Sequence, residues 1–157
     1  MPPKPVVDLA RVDLARVVAG PEEIRRRNAQ RYEMEHLDAI CHIDLEEGVI
    51  VGYKDVREDE FWVRGHIPGR PLLPGVIMCE AAAQLCSYYY KEAVPADSFL
   101  GFGGLEGVKF RAEVVPGQRL ILAARSRDLR PRRAVFDCQG FVDGRMVYEG
   151  TIIGMPM

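Results

Sequence analysis

The sequence predicts an α+β domain in which an antiparallel sheet wraps around one long, enclosed helix. Three observations carry this. The stretch Gly75 to Lys91, which includes VIMCEAAAQLCSYYY, is apolar on nearly every side, the pattern of a helix covered by other structure. Runs rich in apolar and β-branched residues flank it on both sides, separated by turn residues. The chain has 157 residues, 48% hydrophobic and 28% charged, which suits one folded domain with one sizeable core.

The chain opens with a tandem repeat, Val7-Asp-Leu-Ala-Arg followed by Val12-Asp-Leu-Ala-Arg. Asp8 is placed to cap a helix reaching Val18, with Gly20 ending it. Pro21 then opens a second helix at the favoured first position, with Glu22 and Glu23 near its positive end. Residues 1–29 therefore read as an N-terminal helical extension to a main domain spanning 30–157. From Cys41 the texture changes to strand. The runs CHIDL and VIVGYKDV around Glu46-Glu47-Gly48 predict a hairpin, and Phe61 to Val63 reads as a further short strand. Between His66 and Gly75, Pro68, Pro71 and Pro74 each fix φ and push the preceding residue out of the helical region, so a stiff extended loop is expected.

In the central helix the polar residues Glu80, Gln84, Ser87 and Lys91 recur at steps of four, three and four, making one narrow stripe. Ala81 to Ala83 allow a neighbour to approach closely. The remainder is strand-rich: FLGFGGLEGVKFR, then Arg119 to Arg127, Ala134 to Val142, and Arg145 to Met155. Val115-Pro116-Gly117 supplies a turn, and Asp143-Gly144 is a strong hairpin signal.

The longest apolar run, Leu72 to Cys79, stops at Glu80, well short of the roughly 18 residues a membrane span needs. Asp8, Arg11, Asp13 and Arg16 interrupt the stretch a secretory signal requires, so a cytoplasmic address is expected. The four cysteines, Cys41, Cys79, Cys86 and Cys138, lack C-x-x-C spacing, and reduced thiols are expected. Five arginines cluster between Arg125 and Arg133, and a solvated hairpin tip is favoured over a docking surface for an acidic partner. Nucleic acid is not an expected partner, because no aromatic residue interrupts that run and the pI is 5.9.

His66 stands at the head of the proline-fixed loop and Glu80 in the enclosed helix. A neutral imidazole is a base at cellular pH, and a carboxyl in apolar surroundings can hold its proton, so such a pair can remove one proton and deliver another. At the helix start, Pro74-Gly75-Val76 offers unpaired backbone N–H groups and the positive dipole end, which suit a developing oxyanion. Glycine at 75 also keeps a side chain out of the way of a substrate carbonyl.

The segment Phe61 to Gln84 (FWVRGHIPGRPLLPGVIMCEAAAQ) resembles the signature of the hotdog-fold (3R)-hydroxyacyl-acyl-carrier-protein dehydratases, FabZ-type: G-H-F/I-P-x-x-P-x-x-P-G-V followed by E-A-x-A-Q. Similarity continues in Val108-Lys-Phe-Arg111 and Val114-Val-Pro-Gly117, and more faintly in Arg31-Tyr32 with Asp38, so it covers roughly residues 30 to 153. The resemblance implies that His66 takes the C2 proton, and that Glu80, supplied by the partner subunit, handles the leaving hydroxyl and water. It further implies that Gly75, with Val76 beside it, presents backbone N–H to the thioester carbonyl, and that Gln84 supports Glu80. Glutamate at 80, where the sister dehydratase/isomerase group has aspartate, implies plain dehydration to a trans-2-enoyl thioester.

The expected substrates are acyl-carrier-protein-linked or coenzyme-A-linked hydroxyacyl groups of fatty-acid biosynthesis, and the expected assembly is a homodimer or an assembly of dimers. No metal or organic cofactor is called for, because the thioester already acidifies the C2 proton. His36 and His42 beside Cys41 lack recognised zinc spacing. The chain departs from the family's R-Y-P-F-L-L-V-D-R at Glu33, Glu35 and His36, polar residues in a normally apolar stretch. Two other functions fit the same class of ligand: a hotdog thioesterase, and a non-catalytic acyl-thioester or carrier-protein binding module.

Overall fold

The computed structural model describes residues 3–95 and 99–157. The first two positions of the N-terminal segment therefore lie outside it. A short helix α1 (Pro21–Arg27) precedes the hairpin β1 (Ala39–Asp44) and β2 (Val49–Asp55). The long helix α2 (Gly75–Ala93) follows, then β3 (Leu100–Phe110), β4 (Arg119–Arg130), β5 (Arg133–Val142) and β6 (Arg145–Pro156). The six strands form one antiparallel sheet in the order β1-β2-β4-β5-β6-β3.

Strand periodicity decides which face the sheet turns to α2. Leu120, Leu122 and Ala124 point one way and pack with Ile50, Phe136, Tyr148 and the helix residues Ala81, Ala82 and Leu85. Tyr88, Tyr89 and Tyr90 are buried in the same core. The ring of Tyr89 meets that of Phe136 edge to face at 5.6 Å between centroids. The stripe predicted on α2 is largely enclosed as well, since Gln84 and Ser87 are buried.

Two turns adopt the conformations their residues favour. Asp143 and Gly144 both have positive φ, 49° and 78°, as the tight turn joining β5 to β6 requires. Gly117 sits at φ 94° in the Val115–Gln118 turn, closed by a 3.2 Å backbone hydrogen bond.

The structure departs from expectation at three places, two of them before the 66–75 loop and the third at that loop's head. Residues 8–18 do not form a helix; only Leu9–Arg11 makes a single 3-10 turn. The second residue of each repeat is an aspartate whose carboxylate accepts the backbone N–H two residues on: Asp8 from Ala10 (3.2 Å) and Asp13 from Ala15 (3.0 Å). These local bonds compete with helix propagation. Val7, Val12 and Leu14 instead lie across Val49, Val51 and Ala123, on the sheet face turned away from α2. The strap is tied down by Val6 N–H to Gln139 Oε1 (2.8 Å) and by Arg125 to the Val6 carbonyl (2.9 Å). Removing residues 3–16 exposes that apolar face, and the expected cost of about 2–3 kcal/mol lowers Tm by roughly 5–10 °C in thermal unfolding.

The second departure is Phe61 to Val63, which is a turn and not a strand. Val63 N–H reaches the Glu60 carbonyl (3.1 Å) and His66 N–H reaches that of Trp62 (2.8 Å), so the backbone closes on itself while the Trp62 ring is buried.

Candidate active site

His66 is half-buried at the end of that turn. Its Nδ1 lies 2.7 Å from the Leu72 carbonyl oxygen. A carbonyl can only accept, so Nδ1 carries the proton, and in the neutral ring Nε2 is left as a bare base. Ile67 then adopts φ 58°, a conformation a β-branched residue reaches only at a cost of order 1–3 kcal/mol. A 2.9 Å bond from Arg70 N–H to the Ile67 carbonyl closes the strained turn, and Leu73 N–H is fixed to Val114 O (2.8 Å). The loop is therefore turned at its head and extended only from Pro71 onward.

Pro74 caps α2 and has no N–H of its own. The N–H groups of Gly75 and Val76 open the helix without a hydrogen-bond acceptor among the described residues. Glycine at 75 is dictated by a neighbour: a Cβ there would lie 2.7–2.8 Å from three ring atoms of Phe110. The Phe110 ring is half-exposed and stacks on Tyr148 at 6.0 Å.

Glu80 is half-buried, one and a half turns into α2. Its Oε1 accepts from Gln84 Nε2 at 2.9 Å. Gln84 is held from three sides: Nε2 also donates to the Met34 carbonyl (2.7 Å), Oε1 accepts from His36 N–H (2.9 Å), and its own carbonyl accepts from Asn28 Nδ2 (2.9 Å). A carbonyl on one side and an N–H on the other allow only one orientation of the amide, so Gln84 presents a donor to Glu80. Glu80 also lines a cavity of about 130 Å³, walled chiefly by Ala83, Phe99, Leu100 and Phe102. Within one chain the structure does not bring His66 to Glu80: His66 is absent from that cavity, and no hydrogen bond or ion pair joins the two.

A buried ion pair supports both halves. Lys54 Nζ lies 2.6 Å from Glu60 Oε1, with the two side chains only 1% and 7% exposed. Glu60 also accepts from Trp62 Nε1 (3.1 Å) and from Arg57 N–H (2.8 Å), which fixes the turn that carries His66. Burial pushes the Glu60 carboxyl up, but the Arg57 N–H and then Lys54 hold it below its ordinary value. On its other side Lys54 reaches His36 Nδ1 (3.4 Å), on the segment that clamps Gln84. Sequence reasoning missed this pair, although Lys54 shares the helix-facing register of Ile50 and Gly52 in an apolar strand, and that parity was a readable signal.

Burial, then the Lys54 charge, pushes the His36 imidazole down from 6.5 to about 4. The unfolded chain takes up this proton near pH 6.5 and the folded protein only near 4, so stability is complete above about 6.5 and falls as pH drops toward 4. The full loss is about 3 kcal/mol, and about 2 kcal/mol of it has gone by pH 5. Urea midpoints at pH 7 and pH 5 measure it, and His36→Leu should flatten the difference.

The arginine cluster is largely committed internally. Arg125 binds the Val6 and Glu47 carbonyls, Arg127 pairs with Asp137, and Arg130 and Arg133 pair with Asp128. Among the described residues no group of His, Cys, Asp and Glu could hold a metal ion, and no helix is long and apolar enough to cross a membrane. All four cysteines are buried free thiols; Cys86 and Cys138 lie 3.4 Å apart at sulfur.

A six-stranded antiparallel sheet wrapped around one long buried helix is the hotdog fold, and here it carries His66 on the loop before that helix and Glu80 within it. The dehydratase heterocomplex ApeI:P of Xenorhabdus doucetiae shares this fold, with a TM-score of 0.73 at 16% identity over 85% of this chain and 90% of that one. A putative thioesterase of Ralstonia eutropha has a TM-score of 0.63 at 14% identity, over 74% and 83%. Smu.793 of Streptococcus mutans, solved with acetyl CoA, has 0.61 at 11%, over 82% and 93%. These likenesses establish the fold alone. The FabA-like domain family matches residues 28–151. The 3-hydroxyacyl-[acyl-carrier-protein] dehydratase FabZ of Teredinibacter turnerae is 37% identical over 135 residues, 83% of this chain and 92% of that protein. The chain belongs to the FabA-like family, among the FabZ-type 3-hydroxyacyl-[acyl-carrier-protein] dehydratases.

Proposed function

We propose that His66 and Glu80, drawn from the two subunits of a homodimer, dehydrate (3R)-hydroxyacyl thioesters to trans-2-enoyl thioesters in fatty-acid biosynthesis. His66 Nε2 takes the C2 proton, and Glu80 gives its proton to the departing C3 oxygen. The N–H groups of Gly75 and Val76 receive the charge that develops on the thioester carbonyl. The single observation that carries this reading is the His66 Nδ1 bond to Leu72, which leaves a base aimed by the backbone. Domain limits of 1–29 for the extension and 30–157 for the catalytic domain go with it, as does a cytoplasmic location.

The dimer is supported by β3. It is an edge strand of eleven residues that pairs, among the described residues, only with β6; Phe102, Leu105 and Phe110 along it and Phe99 just before it are 42–50% exposed. A long apolar edge of this kind calls for a partner strand. Joining two chains there would place one subunit's Glu80 cavity, which β3 walls, beside the partner subunit. Sedimentation velocity should therefore give a dimer or a multiple of dimers.

The test of function is interconversion of (3R)-hydroxybutyryl and crotonoyl thioesters, followed by enoyl absorbance on acyl-carrier-protein and coenzyme A carriers. Release of free thiol without enoyl formation would assign a thioesterase. Binding without turnover would assign a binding module.

A further inference from the structure

The elimination yields two products, and two cavities adjoin Glu80 and its partner Gln84. The C2–H bond breaks toward His66 Nε2 and its electron pair becomes the C2=C3 bond. The C3–O bond breaks, and the oxygen takes the proton of Glu80, leaving an enoyl thioester and one water. On one side of Glu80 lies the cavity walled by Ala83, Phe99, Leu100 and Phe102, a surface suited to an acyl chain and poor for water.

On the other side of Gln84 and Gln30 lies a second cavity, of about 240 Å³, between α1 and the 30–38 segment. Its walls are mixed, with Arg25, Tyr32, Glu35, Asn28 and Gln84 among the polar side chains and Ile24 and Leu37 among the apolar ones, and so it is more polar than the cavity beside Glu80. Tyr32 is 86% exposed, so the outer end opens at the surface. Two acceptors on residues that line this cavity, Asn28 Oδ1 and Gln30 Oε1, are buried and receive no hydrogen bond from the protein. Asn28 is itself only 4% exposed. Buried acceptors of this kind are costly unless water satisfies them, and the cavity has room for several waters. Gln30 lines both cavities, and Gln84 lines the polar one while donating to Glu80.

We propose that the polar cavity is the exit for product water, with Gln30 as the positioning residue at its inner mouth, so that water leaves while the enoyl chain is still bound. This rests on the dehydratase reading and adds to it a second route.

Isotope exchange at chemical equilibrium tests the proposal. Hydroxybutyryl thioester carrying ¹⁸O at C3 and crotonoyl thioester carrying ¹³C are equilibrated with the enzyme. Two rates are compared: loss of ¹⁸O from the hydroxyacyl pool, and transfer of ¹³C from the enoyl pool into it. With a separate exit, bound enoyl is rehydrated by fresh water before it departs, and ¹⁸O loss outruns ¹³C transfer several-fold. With one shared route, water waits behind the acyl chain and the ratio is one or less.

Gln30→Met should bring the ratio down to about one, and Gln30→Asn should keep it high. The Gln30 side chain makes no hydrogen bond among the described residues, so its replacement removes no tie from the fold. A wild-type ratio of one or less overturns the proposal, and so does an unchanged ratio in Gln30→Met. Absence of both ¹⁸O loss and ¹³C transfer would instead overturn the dehydratase reading.

Discussion

His66→Ala lowers kcat by about 10²–10⁴-fold, the usual contribution of a positioned general base, while the fold stays intact. The prediction rests on the division of labour within the ring: Nδ1 is spent on the Leu72 carbonyl, and Nε2 is free for chemistry. A purely structural histidine would act through Nδ1 alone. His66→Asn separates the two roles, because its amide can still donate to Leu72 but offers no base. The asparagine variant should melt like the wild type and be as inactive as the alanine variant. Recovery of turnover in His66→Asn would remove His66 as the base.

Glu80→Gln should cost a similar factor, about 10²–10⁴-fold in kcat, with KM little changed. The amide oxygen at position 80 can still accept from Gln84, so the geometry of the helix and its partners is kept and only the transferable proton is lost. The choice of leaving group gives a readout specific to the acid. A 3-fluorobutyryl thioester expels fluoride, which needs far less protonation than hydroxide, and Glu80→Gln should recover much of its rate on it. His66→Ala should not, because the C2 proton must still be removed. Equal deficits of the two variants on the fluoro substrate would contradict the acid role of Glu80.

The two side chains depend on one buried structure. Glu60 fixes the turn before His66 through Trp62, and Lys54 bridges Glu60 to His36, whose backbone N–H holds Gln84. His36 stands where the family is normally apolar. Its Nε2 is buried without a partner, which fits an imidazole kept neutral by burial and by the adjacent ammonium. The polar 33–36 segment thus has two uses: Met34 and His36 clamp Gln84, and Glu35 lines the polar cavity.

Much of the fold was written in local pattern. The apolar and β-branched runs of the strands, the unbroken apolar cylinder of α2 and the turn residues Asp143-Gly144 and Val115-Pro-Gly117 each act over a few residues, so each was legible along the chain. The candidates His66, Gly75, Val76, Glu80 and Gln84 could be picked out because one continuous segment carries them; that His66 and Glu80 stay apart within one chain could not. What the sequence did not reveal depends on residues far apart in the chain. The repeat at 7–16 has helix-forming leucines and alanines, yet its aspartates bond locally and its valines find Val49, Val51 and Ala123 on the outer sheet face. Phe61 to Val63 has strand-forming residues, yet Glu60 and Trp62 turn the backbone there.

The sequence by itself determined the family, the long central helix and the main strands around it, and it placed the candidate residues on one motif, because propensity and motif spacing are local. Tertiary structure alone decided that Lys54 pairs with Glu60 beneath both loops, that Phe110 rather than backbone freedom requires Gly75, and that Gln30 stands between an apolar and a polar cavity. Each of these depends on burial, on which atoms meet once water is excluded, and that is settled only when distant segments pack.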